Sequence, residues 1–189
     1  HLSDEYTFNQ LHLSIFRGAR SMLKEVSVEE AWRRKYPERT VLVVSVDREG
    51  RPNIITLGWN MPTSGNPPMV AISIGHGRYS HKLISETREF VVAFPSEGME
   101  DAIMFCGTRS GRDVDKFKAT GLTPVKAKYV KPPLIGEATV NMECRVVASL
   151  DTGDHTIFVG EILTAYVSEE DKPVLFNMGN NVFKGFKCW

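Results

Sequence analysis

The chain has 189 residues, 42% of them apolar and 24% charged, which is the makeup of one ordinary compact domain rather than two. Lys and Arg total 23, as do Asp and Glu, so the formal net charge is zero and gives no electrostatic case for nucleic acid or an anionic membrane as the main partner. Cys106, Cys144 and Cys188 are far apart with no CxxC pair, which speaks against a disulfide framework and a zinc site, and no stretch is apolar for long enough to span a bilayer. With no secretory-signal order at the N-terminus, the expected setting is the reducing cytoplasm.

Residues 1–39 read as a helical extension. Leu11, Ile15, Phe16 and Leu23 suggest one amphipathic segment, broken near Gly18. Ser27 and Glu30 have the spacing of a capping box, which predicts a helix from Val28 to about Lys35 that closes before Pro37. From Thr40 the texture changes to strands, and residues 40–189 read as one β-rich domain with helical insertions. Val41 to Val46 and Asn53 to Trp59 flank the turn Asp47-Arg48-Glu49-Gly50, a hairpin pattern. The first of these strands is apolar on both faces, which places it in a closed barrel or beneath a packed helix.

Met69 to Ile74 and Phe90 to Phe94 predict two further strands, with a short helix from Ser80 to Thr87 between them. A helical region follows Gly98 and includes Asp113 to Ala119, ending at Gly121. From Thr139 to Leu150 apolar Val140, Met142, Cys144, Val146, Ala148 and Leu150 alternate with mostly polar neighbours. The pattern predicts a strand with Asn141 and Glu143 on its polar side. The turn at Asp151 to Asp154 leads into a partner strand, His155 to Val167.

GxSxG, HExxH, P-loop and Rossmann glycine motifs are all missing, and the five histidines have no metal-ligand spacing. Two segments do suit a ligand. The first is the predicted loop from Trp59 to Pro68, whose amides, hydroxyls and prolines suit an irregular backbone edge-on to a planar heterocycle, with Trp59 and Met61 as apolar walls. An ordinary strand connection would look the same. The second is Gly75 to Lys82, where a helix start offers free N–H groups, Arg78 a fork of donors and Ser80 a hydroxyl at the cap position, together a phosphate seat. Here the plain alternative is a capped helix beside a solvated arginine.

The segments VLVVSVDREGRPNIITLGWNMPTSGNPPMVAISI, GRYSHKLISETREFVVAFP, SGRDVDKF and GDHTIFVGEI, in this order across roughly Val41 to Gly185, resemble the flavin reductase-like proteins. That family includes flavoredoxins and the small reductase components of two-component monooxygenases. The resemblance implies an FMN-binding split β-barrel, usually a homodimer with two flavin sites at or near the interface. It sets Asn60, Met61, Pro62, Thr63 and Ser64 along the flavin ring, beside Trp59. It sets Arg78, Tyr79 and Ser80 at the phosphate, Phe94 and Pro95 near the ring, and Cys106 and the Ser110 to Phe117 segment, including Lys116, close to the flavin or the partner subunit.

His155, in the GDH motif, would orient a nicotinamide or stabilise charge on reduced flavin, or else only brace its turn. Cys106 reads better as a small buried hydrophobe than as a redox thiol. The expected function is an NAD(P)H-dependent flavin or electron-acceptor oxidoreductase with NADH or NADPH as donor. The alternatives are a flavoredoxin-type carrier fed by a redox protein partner, and a non-redox barrel. Two departures from the family stand out: the long N-terminal segment, and Gly179-Asn180-Asn181-Val182-Phe183 where some members carry an aromatic motif.

Overall fold

The computed structural model describes residues 23–187, in two compact units, His1–Lys35 and Tyr36–Trp189. The predicted segment around Leu11 to Phe16 and the thiol of Cys188 lie outside the described residues. In the first unit, helix α1 spans Val28–Trp32. Ser27 caps it, its Oγ accepting from the Glu30 N–H at 3.1 Å. The reciprocal half of the capping box does not form, because Glu30 pairs with Arg34 one turn on, at 2.8 Å. The helix is shorter than expected and continues only as hydrogen-bonded turns to Lys35.

The second unit is built on a seven-stranded sheet in the order β3-β2-β6-β9-β10-β5-β4. Its strands are β2 (Val41–Val46), β3 (Pro52–Leu57), β4 (Asn60–Gly65), β5 (Pro68–Gly75), β6 (Glu89–Phe94), β9 (Val140–Thr152) and β10 (His155–Val167). Neighbours pair antiparallel throughout, and β3 also touches β5, so the sheet curls into a barrel. Smaller pairings add β1 (Glu38–Arg39), β11 (Val174–Asn177) and β12 (Phe183–Phe186) as one sheet, and β7 (Pro124–Val125) with β8 (Leu134–Ile135) as another. The helices are α2 (Tyr79–Thr87), α3 (Glu100–Thr108) and α4 (Lys116–Thr120).

Burial of β2 on both faces has a direct cause: two apolar clusters meet across it. Val41, Val43, Ile72, Phe90 and Phe158 fill the barrel, while Leu42, Val44, Ile54, Ile103 and Phe117 pack between the sheet and α3 and α4. Phe90 fits inside because β10 has a glycine opposite it. A Cβ on Gly160 would lie 2.5 Å from the Phe90 ring. Burying a ring of that size contributes roughly 1.5–3 kcal/mol.

Three expectations need correction. The predicted loop Trp59 to Pro68 is largely strand: β4 pairs with β5 from Asn60↔Ile72 to Gly65↔Pro68. Pro62 is accommodated because β4 is an edge strand, and the register shifts beside it. Ser80 is not a cap. Arg78 occupies the N-cap position of α2 without a capping side chain, and Ser80 lies buried within the first turn. On β9, Asn141 and Glu143 are buried and Leu150 is 63% exposed, against the predicted alternation. The segment 126–135 folds over the first half of the strand and supplies polar partners there. The Glu143 carboxylate accepts N–H groups of Lys128, Tyr129 and Val130 at 2.7, 2.5 and 3.1 Å, and the Tyr166 hydroxyl at 2.8 Å. Asn141 bonds Ile135 through both its oxygen and its nitrogen.

Candidate functional site

Helix α2 begins over β3 and faces the connection between α3 and α4, and the gap is a cavity of about 170 Å³. Arg78, Arg109, Arg112 and Lys116 line it, and no carboxylate does. Four cations around an uncapped helix start make an anion seat, because the first-turn N–H groups of a helix have no partner within it.

Lys116 is 3% exposed and donates to the Ile54 carbonyl at 2.5 Å and the Cys106 carbonyl at 2.8 Å. An ammonium has three donors, so one is left for the cavity. Burial pushes the Lys116 pKa below the ordinary range, with a smaller push from the like charge of Arg78. Cys106 also lines the cavity, and burial raises its thiol to about 11, so it is protonated and unreactive near neutral pH.

At the floor lies Asn53, 2% exposed. Its Nδ2 donates to Ser80 Oγ at 2.7 Å, and its Oδ1 is buried without a partner. Gly111 leaves room for that oxygen, since a Cβ there would collide with it. A buried acceptor left bare costs about 1–3 kcal/mol, so this one awaits a donor. A phosphorylated polyol such as the ribityl phosphate of a flavin provides both things the cavity lacks: an anion for the cations and a hydroxyl for Asn53. The residues present therefore fit that group.

A second cluster sits at the adjoining end of β5 and β10. His155 pairs with Gly75, and a Cβ on Gly75 would be 3.5 Å from His155 Nε2 and 3.8 Å from the Arg78 side chain. The His155 ring lies 4.7 Å from that of Trp59, and its Nδ1 is 2.6 Å from Asp154 Oδ1. The hydrogen bond to His155 holds the Asp154 carboxyl below its usual pKa. That bond fixes the tautomer and leaves Nε2 as the working nitrogen. Below it, Thr156 donates its single hydroxyl proton to Asp151 at 2.6 Å, so His81 Nε2, 2.8 Å away, must be the donor to Thr156. Burial lowers the His81 pKa, helped by neighbouring His76 and opposed by Asp151.

Of the residues singled out from sequence, Arg78, Tyr79, Ser80, Cys106 and Lys116 meet at the cavity. Trp59 and His155 meet beside it. Asn60, Met61, Pro62, Thr63 and Ser64 do not line the cavity; they run along edge strand β4. Phe94 and Pro95 do not line it either, and the Phe94 ring lies under Arg39, 5.1 Å from the guanidinium carbon. Asn53 and Arg109 were missed. Asparagine is unusual inside a strand, and that was the available signal for Asn53.

A curled antiparallel sheet with helical insertions and an anion seat at one helix start is the layout of the flavin-reductase class of split barrels. The chain belongs to the flavin reductase-like family, whose "Flavin reductase like domain" model matches residues 33–184. An uncharacterized protein of Archaeoglobus fulgidus is 47% identical over 128 residues, which is 68% of this chain and 71% of that protein. The NADH-dependent FAD reductase of Streptomyces globisporus is 28% identical over 137 residues, covering 67% and 74% of the two chains. The crystal structure of a flavoredoxin from Methanosarcina acetivorans superposes with a TM-score of 0.75 at 31% identity, covering 88% of this chain and 94% of that one.

Proposed function

We propose that the protein binds FMN and works as an NAD(P)H-dependent flavin or electron-acceptor oxidoreductase. The observation that carries this reading is the buried, unpartnered Asn53 Oδ1 at the floor of a cavity walled by four cations. Arg78, Arg109, Lys116 and the start of α2 hold the phosphate, and Asn53 accepts from the ribityl chain. When bound, the flavin supplies the hydride and electron chemistry. His155, oriented by Asp154, presents Nε2 next to the indole of Trp59, which is half exposed. A neutral Nε2 orients a carboxamide, and a protonated one stabilises negative charge nearby.

The flavoredoxin-type alternative shares the same phosphate seat and differs in the donor. Anaerobic addition of NADH and of NADPH to the FMN-loaded protein separates them. Loss of the yellow absorbance with either nucleotide is expected. Reduction only by a ferredoxin-like protein gives the carrier reading, and a colourless protein that takes up no FMN removes both in favour of a non-redox barrel.

We also propose a homodimer in the cytoplasm. Exposed Val147 and Leu150 on β9 support a second copy as partner, and the buried free thiols of Cys106 and Cys144 support a reducing setting. Among the described residues no helix is long and apolar enough to cross a membrane.

A further inference from the structure

The sheet of β1, β11 and β12 turns one face to the core and the other outward. On the inner face Leu175 is fully buried and Phe183 packs against the core. On the outer face the register sets Arg39, Phe176 and Lys184 in one row across the three strands, since Arg39 pairs with Phe176 and Phe176 with Lys184. Phe186, two residues beyond Lys184, shares that face. The Arg39 guanidinium carbon lies 5.7 Å from the Phe176 ring and Lys184 Nζ 5.6 Å from the Phe186 ring, and the two rings meet edge to face at 5.6 Å. Arg39, Lys184 and Phe186 are exposed, and neither cation has a carboxylate partner among the described residues. Cations and rings thus alternate across an open sheet face. This face adjoins the His155 end of the site. The Arg39 carbonyl accepts from Asn60 Nδ2 at 3.3 Å, and Asn60 follows Trp59, whose ring lies 4.7 Å from that of His155.

From these observations we infer that the outer face of this sheet docks an acidic one-electron carrier protein, which serves as the electron acceptor. The inference rests on the flavin reading above and names the class of acceptor for that site. Carboxylates of the carrier meet Arg39 and Lys184, and its apolar side chains cover the rings, a mixture of Arg and aromatic side chains that protein interfaces favour. Packing against the Phe94 and Phe176 rings holds the Arg39 fork in place, so little freedom is lost when it engages a carboxylate. Two carriers are reduced for each NAD(P)H oxidised, with release of one proton. Other occupants fit less well. A second copy presenting the same face across a two-fold axis sets like charges against each other. Two cations on a chain of zero net charge give a nucleic acid little to hold, and a cation already lies over each ring on which a base would stack.

Calorimetric titration of the FMN-loaded protein with an acidic two-iron ferredoxin of plant type tests this, with basic cytochrome c as the control of opposite charge. Ferredoxin should bind at about 0.02 M salt and at least about tenfold more weakly at about 0.2 M, and cytochrome c should not bind. Lys184→Glu, at an exposed position clear of the core and the cavity, should weaken ferredoxin at least about tenfold at low salt. The same variant should leave FMN affinity within about twofold and the particle mass unchanged. Arg39→Lys keeps the charge but loses the planar fork, and should weaken ferredoxin about threefold or more. No ferredoxin binding at low salt, or equal binding by parent and Lys184→Glu, would overturn the docking face. A Lys184→Glu protein that falls from dimer to monomer mass would assign the face to a second copy and overturn it too. So would a single-stranded oligonucleotide that binds the parent more tightly than ferredoxin does and is lost in Lys184→Glu. A protein that docks ferredoxin as expected but takes up no FMN would bring down the flavin reading and leave the face standing.

Discussion

Asn53 shows how a single residue carries more information about the site than its neighbours. In most strands a buried amide with one bare oxygen would be an error in the design of the core, and replacing it would be costly if both ends were paired. Here only the bond to Ser80 is made. Asn53→Ala therefore trades one hydrogen bond against relief of a bare acceptor, and urea unfolding should show a stability change of less than about 1 kcal/mol. FMN affinity, read by fluorescence quenching, should nevertheless fall about tenfold, the value of one lost buried hydrogen bond. A large stability loss with unchanged affinity would assign Asn53 to the core alone. The anion seat was partly legible in the sequence, because Arg78 before a short helix has a local physical meaning. Asn53 and Arg109 were not, since their role depends on β3 and the α3–α4 connection meeting in space.

At the scale of elements, β9 shows where period-2 reading stops working. The alternation from Val140 to Leu150 is real, yet the polar parity at Asn141 and Glu143 is the buried one, because 126–135 covers it with backbone N–H donors. Alternation reports which positions are apolar. It does not report whether a polar side chain will find partners contributed from residues far along the chain. Burial works to raise the Glu143 pKa, but the three N–H groups and Tyr166 outweigh it, so the folded pKa lies below the ordinary 4.5. The sign follows from linkage: the charged form is the one the fold prefers, so its contribution is present above pH 4.5 and is lost as pH falls through the folded pKa. Glu143→Gln, which replaces an acceptor oxygen by a donor among donors, should cost about 2–4 kcal/mol near neutral pH. The gap from the parent protein should then narrow on acidification below pH 4.5, measured by urea unfolding. A gap that stays constant down to pH 3 would show that the carboxylate's charge is not what fastens the segment. β4 was read as a loop for a related reason: its proline and glycine are local breakers, and only pairing with β5 makes it a strand.

Across the whole molecule, the barrel was legible because it is written in local patterns: a doubly apolar β2, two hairpins with turn residues, and helices between strands. What the sheet leaves uncovered was not. β9 and β10 each have 13 residues, about 44 Å of extended chain, whereas the strands beside them have six and eight. β6 pairs with β9 only as far as Arg145, so among the described residues β9 from Val147 onward has β10 on one side and no strand on the other. Residues 147 to 152 are exposed on both faces, Val147 and Leu150 among them. A free edge carrying apolar side chains is a surface that proteins ordinarily cover, and two-fold pairing of identical copies covers it with one self-complementary patch. Light scattering on a sizing column should accordingly report a particle near twice the 21.2 kDa chain mass. Leu150→Glu puts a charge on the exposed stretch without touching either core, so it should shift the particle to the monomer mass with an unchanged far-ultraviolet spectrum. A parent protein already at 21.2 kDa would mean that this edge is left open, and a variant that remains a dimer would place the pairing on another face.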